Sequence, residues 1–407
     1  MKKLKLDKDI VYILNILNAN GKGYVVGGYV RDELLGFAPK DCDFVTNIPY
    51  DKLLLLFAKY NPREIGRHFG IIQITIGHKK YEIAKMRQDI GIPEKRQLQN
   101  VVFTNDIYED LKRRDFTVNA IAYDGKNFYC SNQSIEDIEN KKLRFIGDVK
   151  VRIQEDPLRI LRAFRFLATK PLTPEIDFNI IKENLDLLDT LSQERIKDEF
   201  NRFLVEKDLK IFSFIDTLGV IEKIVPSWKQ KSIGVIEIMK RSKNILDVRL
   251  ALFFKYLGSD SETVAINEMK RLKYSKKDIN KIVRLITCNI DLKKEPDEKE
   301  IKKAMSLLKD DEFNMFLEML KAQITTQDEK INIRKIKRIE EKILINKIPY
   351  RREDLAISGK TLIEVFNLSG DIIGDILNYL YDKVLDDYSI NEKSTLLEMA
   401  KEKFNLE

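Results

Sequence analysis

The chain has two histidines, His68 and His78, and three cysteines, at 42, 130 and 288. The supply disfavours catalysis built on paired histidines. Three distant thiols, odd in number and without a Cys-x-x-Cys, argue against a disulfide framework or a structural zinc site and fit a reducing compartment. Long apolar runs are missing too: nothing approaches the roughly 18–20 residues of a membrane span. The amino-terminal Met-Lys-Lys-Leu-Lys before Ile10–Leu17 imitates a secretion signal, but Asp7, Asp9, Asn15 and Asn18 interrupt it. It reads as an amphipathic first helix of a cytoplasmic protein. Charge is plentiful in both signs. The 72 basic and 65 acidic residues leave a net +7, which permits nucleic-acid binding without requiring it.

Glycine is scarce on one side only. Eleven of the 17 glycines precede residue 150, together with the β-rich runs Gly23–Val26, Cys42–Val45, Gly70–Ile76, Tyr81–Ala84 and Ala120–Asp124. Beyond about 146, apolar residues recur at helical spacing, as in Leu158, Leu161 and Phe164, and continuous helices are expected over 193–205, 298–320 and 327–343 among others. A length of 407 residues suits two to four domains. The fold class expected is α+β, a small mixed sheet followed by an extended all-helical part. The polar stretch 85–100, with Gly91 and Pro93, is expected to be a loop, and loops of this length are often functional.

Three constellations carry chemistry. In the first, Asp41 and Asp43 stand two apart, where strand geometry puts both carboxylates on one face and turns Cys42 into the sheet. Unpaired acids do not belong in a core. Mg²⁺ takes one or two carboxylates plus substrate phosphates. Just upstream, Gly27-Gly-Tyr-Val-Arg-Asp lets backbone approach a ligand at Gly28 and brings the guanidinium fork of Arg31, which suits phosphate. The second constellation is Arg113-Arg-Asp-Phe-Thr-Val-Asn-Ala-Ile-Ala, where Arg114 is a candidate for phosphate or ribose contact and Asp115 for a structural ion pair.

The third is Glu155-Asp-Pro-Leu-Arg-Ile-Leu-Arg-Ala-Phe-Arg. Pro157 suits a first helical turn behind an Asp156 cap. Arg159, Arg162 and Arg165 form a basic stripe, which on an isolated helix would be solvated. Asp156 and Arg159 suggest something more specific. Cytosine and adenine both present an exocyclic amino donor beside a ring-nitrogen acceptor, and an Asp accepting from the first with an Arg donating to the second selects them over uracil and guanine. Ser358-Gly-Lys-Thr ends like a P-loop, but Asp354 stands where the first glycine is required.

These motifs, in this order, resemble the class II nucleotidyltransferases of the polymerase-β superfamily, the tRNA CCA-adding enzymes and bacterial poly(A) polymerases. Ser192-Gln-Glu-Arg-Ile-Lys-Asp-Glu-Phe resembles the helix after the family's base-reading segment. Leu355-Ala-Ile-Ser-Gly-Lys-Thr-Leu is similar to the tail of the shorter bacterial CCA-adding enzymes. The resemblance implies a nucleotidyltransferase head at 1–145, a helical neck for nucleobase recognition at 146–206, a helical body at 207–345 and a tail at 346–407 that bind RNA. It implies CCA addition to tRNA from ATP and CTP. The alternatives are a poly(A) polymerase, an enzyme adding only the terminal A or, more remotely, a non-catalytic RNA-binding protein. It further implies two Mg²⁺ ions on Asp41 and Asp43, with Glu82 as a possible third acid. Gly28, Arg31, Arg114, Asp156, Arg159, Arg162 and Arg165 are carried over as nucleotide contacts, and the tRNA acceptor arm and 3′ end as partner.

Overall fold

The computed structural model describes residues 3–90, 100–206, 209–228, 232–309 and 311–406. They fall into two compact units, one of residues 1–203 with 217–224, the other of 204–216 with 225–407.

In the first unit, helix α1 (Lys8–Asn20) starts where the Asp7 carboxylate accepts the Ile10 N–H at 2.9 Å, satisfying one of the donors a helix start leaves open. Its buried residues Ile10, Ile13, Leu14 and Leu17 form one face, as an amphipathic helix requires. The strands are β1 (Gly23–Val26), β2 (Asp43–Thr46), β3 (Arg63–Gly66), β4 (Ile71–Ile76), β5 (Lys79–Lys85), β6 (Arg87–Ile90), β7 (Asn100–Phe103), β8 (Ala122–Tyr123), β9 (Phe128–Tyr129), and the two-residue β10 (Lys142–Leu143) and β11 (Thr173–Pro174), which pair in parallel and put a short strand inside the stretch expected to be all helical. Seven of them make one mixed sheet in the order β3-β4-β5-β2-β1-β8-β9. β2 and β5 run parallel and the other neighbours antiparallel. The parallel register sets Asp43 beside Glu82, and the antiparallel one sets Asp43 beside Val26 at the end of β1. Strands β6 and β7 pair separately, so the ends of the polar stretch are strand, while its 91–99 part lies outside the described residues.

The unit's remaining helices include α2 (Gly28–Leu35), α3 (Tyr50–Leu56), α4 (Ile107–Lys112), α5 (Asn132–Glu139), α6 (Val149–Glu155), α7 (Leu158–Thr169), α8 (Phe178–Glu183) and α9 (Gln193–Leu204). Asp156 lies between α6 and α7, and its carboxylate accepts the Leu158 N–H at 3.2 Å. Pro157 follows in helical conformation at φ −59°, the value its ring enforces anyway.

The described residues of the second unit form helices and short 3₁₀ turns, without strands. Trp228 stacks on Phe253 with ring centroids 4.6 Å apart, and its indole N–H donates to Asp216 at 2.6 Å. The expected helix 298–320 is two helices, Glu298–Leu307 and Glu312–Gln323. The charged run 309–312, between Leu308 and Phe313, interrupts the apolar rhythm at the break. The Glu312 carboxylate turns back to accept the Lys309 N–H at 3.0 Å and so starts the second helix. Ser358 caps the helix Gly359–Phe366 in a reciprocal arrangement with Thr361, so Ser-Gly-Lys-Thr here is a helix start. No helix among the described residues is long and apolar enough to cross a membrane.

Candidate active site

Exposure alternates across Asp41, Cys42 and Asp43: out, in, out. Strand β2 begins only at Asp43, so Asp41 precedes the strand expected to hold it, yet the alternation extends through it. Among the described residues no side-chain hydrogen bond or ion pair reaches Asp41 or Asp43. Asp43 keeps contact with solvent but is hemmed in by protein. That desolvation, followed by the neighbouring Glu82 charge and, more weakly, Asp41, pushes its carboxyl up to about 6 against the pull of Arg114. Glu82 sits within reach of the Gln73 amide at 3.4 Å. Like charges gathered this way favour a cation. Among the described residues no three ligands close around a metal by themselves. The donor set is all oxygen, and among the described residues its two aspartates lack side-chain partners. It fits a divalent ion whose shell substrate phosphates would complete.

Beside these acids lies the glycine turn. Gly27 has φ +66°, and a Cβ there would come within 2.9 Å of the Arg114 Nη1. The positive φ calls for glycine, and the arginine lies directly against the turn. Arg114 is aimed by Asp110, which sequence reasoning missed. Asp110 is fully buried. It accepts from Arg114 Nη2 at 3.0 Å, from Arg113 Nη2 at 2.8 Å and from the Arg87 N–H at 3.1 Å. Burial would raise its carboxyl, but Arg114 and Arg113 outweigh that and hold it below the ordinary value. Its place three and four residues before the two arginines on a helix was the available signal.

Arg31 is buried, and its guanidinium lies beneath Gly28, whose Cβ position would be 3.6 Å from Nη2. It is held on three sides: by Asp32 at 2.8 Å, by the Asn119 carbonyl oxygen at 2.6 Å, and by the face of Phe166. The Asn119 amide nitrogen in turn donates to Asp115 at 2.8 Å, and the other Asp115 oxygen takes two bonds from Arg162 at 2.8 and 2.6 Å. Burial alone would raise the Asp115 carboxyl; Arg162 foremost, then Asn119, keep it low. Arg165 pairs with Glu199 at 2.7 Å. The stripe on α7 is thus largely buried and ion-paired, unlike the solvated stripe expected of an isolated helix.

Asp156 and Arg159 stand at the start of α7 with separate partners. Arg159 donates from Nη1 to Glu155 and to the Arg152 carbonyl, both at 2.8 Å, and from Nη2 to the Arg113 carbonyl at 3.0 Å. Three of its five N–H donors are used, leaving two for a ligand. Arg152 also bonds the Arg113 and Arg114 carbonyls and Glu155. Asp156 is gripped by Arg195 on α9, whose Nη2 lies 3.1 and 2.8 Å from its two oxygens. The structure therefore brings the arginine-bearing segment 113–114 against both the glycine turn and the start of α7. Asn119, Arg152 and Arg195 were missed as parts of this wiring, since nothing local in the chain marks partners so remote in sequence.

A family model for the poly(A) polymerase head domain matches residues 23–144, and one for tRNA nucleotidyltransferase domain 2 matches residues 249–400. The chain is 29% identical over 403 residues to a CCA-adding enzyme of Ligilactobacillus salivarius, covering 97% of this chain and 96% of the relative. Its fold is similar to that of the Bacillus stearothermophilus CCA-adding enzyme in complex with CTP, with a TM-score of 0.79 at 22% identity over 98% of this chain and 100% of that one. The Thermotoga maritima CCA-adding enzyme complexed with tRNA is similar at a TM-score of 0.63 and 21% identity, over 98% of each chain.

Proposed function

We propose that this chain, a class II nucleotidyltransferase of the family of tRNA CCA-adding enzymes and bacterial poly(A) polymerases, adds CCA to the 3′ end of tRNA from CTP and ATP in the cytoplasm. The RNA 3′-hydroxyl attacks the α-phosphorus of the bound nucleotide and pyrophosphate leaves. Asp41 and Asp43 would hold the divalent metal, as two Mg²⁺ ions, with Glu82 adding negative charge beside them. Bound there, the ions supply a lowered pKa for the attacking hydroxyl and charge stabilisation for the leaving pyrophosphate.

The rest is done by fixed protein groups. The Gly27–Gly28 backbone leaves room for phosphates to approach, and Arg31 and Arg114 flank that turn as cations. Asp156 accepts from the exocyclic amino group of C or A, and a remaining N–H of Arg159 donates to the ring nitrogen. Uracil and guanine would set acceptor against acceptor and donor against donor. Arg162 and Arg165 serve the nucleotide site as contacts on the same helix. In this reading residues 1–145 are the catalytic head, 146–206 the neck that reads the base, and 207–345 and 346–407 the body and tail that take the tRNA acceptor arm.

The observation that carries the reading is the row of acids. Asp43 stands beside Glu82 and close to Asp41, without a partner on either aspartate among the described residues, next to an arginine seated on a glycine turn. The test offers tRNA ending at the discriminator base with CTP, ATP, or both, and sequences the products. CCA ends from the mixture support the reading. A homopolymer of A, or extension that survives Asp41→Ala, overturns it.

A further inference from the structure

We propose that Arg195 is a positioning residue for base choice: it holds the Asp156 carboxylate in the one orientation that reads C and A. This rests on Asp156 being a base reader. A carboxylate on a single-carbon stem turns about two torsions and, left alone, offers its acceptors in many directions. Asp156 is fixed from two elements instead. The Leu158 N–H at the start of α7 holds Oδ1 at 3.2 Å, and Arg195 on α9 touches both oxygens through Nη2. The other half of the reader is fixed independently, since Glu155 and the carbonyls of Arg152 and Arg113 hold Arg159.

Stability does not account for the Arg195 contact. The Arg195 side chain is 47% exposed and that of Asp156 24%, and ion pairs so open to water contribute little to folding. What the contact does supply is direction. A side chain with only donors, set against both oxygens, leaves Asp156 with only acceptors to present. Uracil and guanine offer an acceptor at that point and are refused. Cytosine and adenine offer an amino group and are taken.

The experiment measures single-nucleotide addition with the full-length chain, CTP against UTP on tRNA lacking CCA, and ATP against GTP on tRNA ending in CC. Arg195→Met should lower the C-over-U and A-over-G ratios roughly tenfold, the scale of one lost fixed hydrogen bond, with little change in Tm. Arg195→Lys should recover part of the ratio. In the Asp156→Asn/Arg195→Met double variant the losses should not add, because the two act as one unit. Equal loss for right and wrong nucleotides, or additive losses, would overturn the role of Arg195. If Asp156→Asn itself leaves the ratios unchanged, the base-reading assignment fails. If Asp156→Asn collapses them and Arg195→Met does not, only the role of Arg195 fails.

Discussion

The two ends of the proposed nucleotide site are built on opposite principles. At the proposed metal end, Asp41 and Asp43 have no side-chain partner among the described residues, and like charge crowds them. At the proposed base end, Arg159, Arg162, Arg165 and Asp156 are each tied to protein groups. The difference follows from what each must do. A group that exchanges ligands at every turnover is poised by being left unpaired. A group that measures a base must keep its shape between turnovers, so its partners belong to the protein. Charge at the first end should therefore cost stability, and charge at the second should contribute to it.

The largest expected effect lies at the metal end. Asp43→Asn should lower kcat by on the order of 10³-fold, because several kcal/mol of charge stabilisation go with the ligand. In the metal-free protein the same change should raise Tm. The folded carboxyl titrates near 6, above the roughly 3.9 of an unfolded Asp. Its ionisation therefore opposes folding as pH rises through that window. The gain should be full above about pH 6 and vanish below about pH 4, which thermal melts in chelator across pH would record.

Asp115→Asn should behave in the opposite way. It removes the nearer counter-charge of Arg162 and leaves only Glu199 at 3.7 Å, and the loss at neutral pH should be about 2–3 kcal/mol. The folded carboxyl lies below its ordinary value, so its contribution is present above about pH 4 and is lost as pH falls through the folded pKa. Denaturant melts of variant and parent should converge in acid. If Asp43→Asn destabilises, or Asp115→Asn does not, the contrast between the ends breaks down.

Asn119 joins the ends, and replacing it sharpens the comparison. Its oxygen accepts from Arg31 while its nitrogen donates to Asp115, a pairing that only a neutral amide makes. Asn119→Asp keeps the shape but faces one carboxylate with another. KM for both CTP and ATP should rise roughly tenfold, the cost of a disturbed charge-assisted bond, with C-over-U selectivity retained. The smallest effect belongs to the second unit. Ser358→Ala removes a helix cap and should cost about 1 kcal/mol in a melt, with kcat unchanged.

Much of this was legible in the chain, where the signal is local. The glycine turn, the alternation around Cys42, the Asp156–Pro157 helix start and the helical second half all show in runs of a few residues. The wiring does not. Arg31 and Asn119 are 88 residues apart and Asp156 and Arg195 are 39 apart, and no periodicity links such partners. The arginine stripe of α7 illustrates the limit. Spacing shows that three guanidinium groups share a side, but whether that side meets water or carboxylates is settled by chain elsewhere. The break between Leu307 and Glu312 was legible, since the charged run 309–312 interrupts the apolar rhythm between Leu308 and Phe313.

Cys42 lies buried between the two aspartates, and burial together with the Asp43 charge drives its thiol far from ionisation. A thiol so protected reacts with an alkylating reagent only when the sheet around it comes apart. Cys42 is thus a clock set between the two aspartates proposed to be catalytic. Its rate of labelling, read by mass spectrometry, counts how often the middle of this sheet opens, and any nucleotide or metal that settles on Asp41 and Asp43 should slow it.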